Sequence, residues 1–162
     1  MKPPALLLSL AFGTSLVSMT SIRAMADPPA EEATKLAGDG RYADAVQKFV
    51  EAITRDPKNA SLHLSLGLAY QSLKKYPEAA QALEKAAELN PTSPDPFYSL
   101  GLLYEAAATD PAPWKEPKTD AVRNRFWLKA RKAWETFLGL TKDPKKAEIA
   151  KRHLERISEA LK

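Results

Sequence analysis

A chain of 162 residues holds one compact domain or one short repeat array and is too short for two full domains. Charged residues at 27 % and hydrophobic residues at 44 % exclude wholesale disorder. The formal charge is +4, and the absence of cysteine excludes disulfides, lipid attachment through a cysteine, thiolate nucleophiles and thiolate metal sites together.

The amino-terminal stretch reads as a secretory signal, residues 1–26, rather than as part of a fold. Lys2 supplies a positive start, and residues 5–19 form an apolar core interrupted by Gly13 and Thr14. That core is shorter than the roughly 20 apolar residues a spanning helix needs. Ala24-Met25-Ala26 then offers the small-x-small pattern of a signal peptidase site, which makes Asp27 the first mature residue. An uncleaved anchor is the alternative. Cleavage would make this an exported protein, and its size and signal style point to the periplasm of a bacterial cell envelope.

From Asp27 onward the chain repeats itself. The shift that superposes Leu66 on Leu100 also superposes Gly67 on Gly101, Tyr70 on Tyr104, Tyr42 on Tyr76, Ala45 on Ala79, Ala52 on Ala86 and Pro57 on Pro91. Each block contains two amphipathic helical runs, and Asp56-Pro57 or Asn90-Pro91 stops the second run before the next block begins. Small residues at Ala45, Gly67, Ala79 and Gly101 let paired helices approach, and Phe49, Tyr70, Leu83 and Tyr104 fill the space around them. One such hairpin cannot bury its apolar face alone, so successive hairpins must stack.

The pattern Leu66-Gly67, Tyr70, Tyr76, Ala79, Leu83, Ala86, Pro91 resembles the tetratricopeptide repeat, which has this 34-residue period. The resemblance implies an all-α solenoid of about three helix-turn-helix repeats, near 27–59, 60–93 and 94–144, over residues 27–162. The first block matches mainly in its second helix, through Gly40, Tyr42, Ala45, Phe49, Ala52 and Pro57. Its first helix, about 28–38, is short and lacks the Leu-Gly pair; Asp27 as cap, Pro28, Glu31 and Glu32 favour a helix start there. The third block opens on Phe97, Leu100, Gly101 and Tyr104, capped by Ser93. An insertion, 109–119, follows, and its three closely spaced prolines exclude α-helix. Helix resumes at Thr119 or Asp120 and runs to about Leu140, through Ala130, Ala133, Trp134 and Phe137. Last, Ala147, Ala150, Leu154, Ile157 and Leu161 recur at threes and fours, the pattern of a capping helix over 145–162.

Little here could carry catalysis. His63 and His153 fall on different helices with no ligand spacing, and no Gly-rich phosphate loop, nucleophile elbow or His-Glu-x-x-His motif occurs. The sequence therefore predicts no enzyme, no metal and no cofactor. It predicts a protein-interaction adaptor or scaffold.

In proteins with these repeats, the first helices of successive blocks line a concave surface that holds peptides. The positions one turn apart and not used for packing are Ala30 and Thr34, then Leu64, Leu68 and Gln71, then Tyr98, Leu102 and Glu105. The set is mostly apolar and predicts a groove for a partner peptide or helix, with coverage by the chain's own insertion or terminal helix as the competing reading. Relatives that clamp a peptide's terminal carboxylate need Lys, Arg and Asn on this face. This chain carries Ala30, Thr34, Leu68, Tyr98 and Leu102 instead, so that activity is not implied.

Charge is divided unevenly. Residues 27–113 carry 8 basic and 13 acidic side chains, whereas residues 114–162 carry 14 basic and 7 acidic. Arg123, Arg125, Lys129, Arg131 and Lys132 crowd a helix that also holds Phe126, Trp127 and Trp134. Export disfavours nucleic acid as their partner. Anionic lipid at the membrane periphery, or another polyanion, is the alternative function, and a solvated helix face is the plainer reading. Opposite charge at the two ends also permits head-to-tail assembly of a homo-oligomer.

Overall fold

The computed structural model describes residues 27–162, so the signal segment lies outside the described residues. Seven α-helices follow one another there: α1 Pro28–Gly38, α2 Tyr42–Arg55, α3 Ala60–Ser72, α4 Tyr76–Leu89, α5 Asp95–Thr109, α6 Asp120–Leu140 and α7 Pro144–Ala160. They pair as antiparallel hairpins α1–α2, α3–α4 and α5–α6, stacked in chain order, with α7 against α6. None of these helices is long and apolar enough to cross a membrane.

The helix ends follow local chemistry. Asn59 accepts from the amides of Ser61 and Leu62 at the start of α3, Thr119 from Val122 at the start of α6, and Asp143 from Lys145 and Lys146 at the start of α7. Two expected caps differ. Asp27 precedes α1 but makes no capping bond; its carboxylate lies 3.4 Å from Arg55 Nη1. Ser93 stands one residue too early, because Pro94 takes the position before α5. In the turn between α1 and α2, Gly40 adopts φ +77°, and Lys74, its counterpart in the next hairpin, adopts φ +58°. Reversing the chain there needs the left-handed region, which glycine enters without steric cost.

Two glycines set the helix spacing. A Cβ on Gly67 would stand 2.7 Å from Leu83, and one on Gly101 would stand 2.7 Å from Trp134. Leu83 and Trp134 are therefore equivalent, and so are Ala79 and Ala130, all fully buried. Ala130 stands further along the chain from Ala79 than one repeat period allows, so the third block carries extra residues. Most of them form the segment 110–119. Its prolines exclude α-helix as predicted but allow a single 3₁₀ turn, Ala112–Trp114. Trp114 brings this turn back onto the body, with ring centroids 5.9 Å from Tyr104 and 5.2 Å from Phe126.

Burial divides into two clusters. The amino-terminal one gathers Ala33, Leu36, Ala45, Phe49, Leu62 and Leu66; the carboxyl-terminal one centres on Leu83, Leu103, Trp134, Phe137 and Ile157. Fully burying side chains of this size contributes roughly 1.5–3 kcal/mol each. Stacking is therefore the main support of a fold most of whose helices are too short to persist alone.

Candidate functional site

The first helices of the hairpins, α1, α3 and α5, neighbour one another along one side of the stack. Leu68 lies on that side and is 44 % exposed, one of the large apolar side chains most open to solvent among the described residues. Leu64, one turn earlier on α3, and Tyr98 and Leu102 on α5 are half-buried, packed against the carboxyl-terminal core, and Gln71 is half-buried at the end of α3. The 3₁₀ turn of the insertion packs on α4 and α5 and makes no contact with α3, so it does not cover Leu64 or Leu68.

Toward the carboxyl end the same side is occupied from within. Tyr98 meets Trp134 edge-on at 5.4 Å and Phe137 at 5.3 Å. Glu105, expected at the surface, is 6 % exposed. Its carboxylate accepts from the Trp134 indole N–H at 2.6 Å, lies 2.6 Å from His153 Nδ1 and pairs with the Arg156 guanidinium. Glu105 is thus corrected from a partner contact to an internal anchor for α6 and α7. A carboxylate this buried needs such partners to remain charged. The His153 ring stacks on Trp134 with centroids 4.2 Å apart. Burial, and then the charge of Arg152, holds His153 below the ordinary imidazole range.

The basic side chains of α6 do not form one free patch. Arg123 pairs with Asp120 at 2.8 Å and Arg125 with Glu116 at 2.7 Å; Lys129 lies 3.8 Å from Glu84. Lys132 makes no ion pair among the described residues. Trp134 is fully buried and Trp127 half-buried, as the plainer reading expects of aromatics on a solvated helix. Burial, followed by Glu84, pushes the Tyr104 hydroxyl well above its usual range, so it stays protonated and donates to Glu84. Among the described residues no group of three His, Asp or Glu side chains is placed to hold a metal ion.

Residues 31–94 match the family model described as Tetratricopeptide repeat, which decides the matter. That part of the chain carries tetratricopeptide repeats. The match spans the first two repeats, and the structure extends the same architecture over the third. No curated protein matches the chain in sequence.

Solved structures share the fold at low identity. The TPR domain of Arabidopsis OM64 is 18 % identical with a TM-score of 0.64, covering 80 % of this chain and 93 % of that one. The second TPR domain of human RPAP3, in complex with the HSP70 peptide SGPTIEEVD, is 21 % identical with a TM-score of 0.62, covering 80 % and 92 %. The Yersinia enterocolitica type III secretion chaperone SycD, in complex with a peptide of the translocator YopD, is 17 % identical with a TM-score of 0.60, covering 84 % and 94 %. The last two are seen holding peptides.

Proposed function

We propose that this tetratricopeptide-repeat protein is a non-catalytic adaptor that holds an apolar peptide or helix along the side formed by α3 and α5. The observation that carries this reading is Leu68, an open leucine one turn from half-buried Leu64 on α3, a first helix of the kind that lines the binding surface in tetratricopeptide domains. An exposed apolar cluster favours association by roughly 1.5–3 kcal/mol for each large side chain a partner covers. Complexes of RPAP3 and SycD with peptides support the mode of binding. The basic clamp for a terminal carboxylate has no counterpart here, since Leu68, Tyr98 and Leu102 stand at those places.

The same proposal locates this adaptor in the bacterial envelope, on the signal-like character of residues 1–26. Mass spectrometry of the mature protein beginning at Asp27 would support export, and a species beginning at Met1 would overturn cleavage. For the binding reading, mature protein and a Leu68→Ser variant are compared in capture of partners from an envelope extract. Loss of the captured set in the variant supports the reading, and an unchanged set overturns it.

A further inference from the structure

The repeat register exposes a missing side chain. Ile53 on α2 and Ala87 on α4 occupy the same position in successive repeats. Ile53 packs against the amino-terminal core that contains Leu62 and Leu66. At Ala87 the branched side chain is gone, and across from it α6 contributes the small Ala133 and Thr136 together with Lys129 and Lys132. The gap stays open as a cavity of about 270 Å³ between α4 and α6, floored by Phe97, Leu100 and Tyr104 of α5. Its walls are second helices of the hairpins, its floor is the first helix α5, and its lining does not include Leu64 or Leu68.

We propose that this cavity is a second binding site, for a small carboxylate bearing an aryl or branched alkyl tail. Drug-sized ligands occupy roughly 300–1,000 Å³. A volume just below that range suits one ring or one branched chain and excludes a nucleotide. The floor is two aromatic rings and a leucine, which favours an apolar tail. Charge at the mouth selects the head group. Glu84 would repel an anion, but it accepts from Tyr104 and lies 3.8 Å from Lys129, whose ammonium sits 4.9 Å from the Tyr104 ring centroid. Lys129 therefore offsets Glu84. Lys132 is left as the uncompensated cation on the lining, and a carboxylate is its complement.

The test is an amide-resolved NMR titration of the purified protein with 3-phenylpropanoate. Saturable shifts at Phe97, Leu100 and Ala133 are expected. 3-Phenylpropan-1-ol, with the same tail and no charge, should bind about threefold or more weakly, as should 3-phenylpropanoate to Lys132→Met, the effect of losing one exposed ion pair. Ala87→Ile, which restores the side chain of the preceding repeat, should abolish the shifts without lowering the melting temperature. Ala133→Val narrows the cavity from the other wall and should weaken binding, which covers the case of an Ala87→Ile chain that does not fold. Absence of saturable shifts, equal affinity for the alcohol, or undiminished binding by a folded Ala87→Ile chain would overturn the proposal.

Discussion

The Trp134 indole N–H donates to the Glu105 carboxylate at 2.6 Å, and the same ring lies over Gly101, one turn earlier on α5. One side chain thus sets the α5–α6 spacing and anchors the acid to which α7 is tied through His153 and Arg156. Glu105→Ala removes the acceptor and leaves the buried indole N–H without a partner. A loss of about 2–4 kcal/mol is expected in chemical denaturation. Hydrogen exchange in α7 should rise more than in α1. Unchanged protection of α7 would show that the carboxylate does not hold it.

Gly101→Ala and Gly67→Ala test the two close approaches. Each new methyl meets a side chain at 2.7 Å, but the neighbours differ. Trp134 is rigid and pinned by Glu105, whereas the smaller Leu83 side chain has no hydrogen bond to hold it and gives way more readily, with the Ala79 carbonyl oxygen at 3.2 Å the fixed part of that contact. Gly101→Ala should therefore cost about 2–3 kcal/mol and Gly67→Ala about 1 kcal/mol. Melting curves that reverse this order would contradict the packing described.

His153 links stability to pH. It faces Glu105 from α5, Trp134 from α6, and Arg152 and Arg156 along its own helix. Arg156 neutralises Glu105, so burial and Arg152 dominate and the folded imidazole binds its proton less readily than the unfolded one. Below an unfolded value of about 6.5 the unfolded chain takes up more protons. The contribution of His153 is therefore present above that value and lost as pH falls through the folded one. His153→Gln should flatten the loss of stability between about pH 7 and pH 5. An NMR titration placing His153 above the ordinary range would overturn this.

Much of the fold was legible because packing between repeats demands the same small and large residues in every period. Gly67, Ala79 and Leu83 announced the second hairpin, and Pro57 and Pro91 its limits. The third hairpin was less clear, since the insertion broke the register. The run Ala130, Trp134, Phe137 keeps the spacing of Ala79, Leu83, Ala86 and could have restored it. Glu105 could not be assigned from periodicity, which gives the side of a helix but not what lies against it. Its burial depends on the path of α7, which begins only at Pro144, beyond the whole of α6. The vacancy at Ala87 was readable by comparison with Ile53, once volume rather than polarity is compared across repeats.

Leu68 and Val50 offer the most direct test of the adaptor reading. Both are open to solvent, at 44 % and 46 %, but Leu68 lies on a first helix and Val50 on a second helix of the stack. Peptides selected from a random display library against residues 27–162 are titrated by calorimetry against Leu68→Ser and Val50→Ser, both nearly neutral for stability. Binding should weaken about tenfold in Leu68→Ser, the loss of one covered leucine, and remain unchanged in Val50→Ser. Full affinity in Leu68→Ser, or a loss confined to Val50→Ser, would contradict the account.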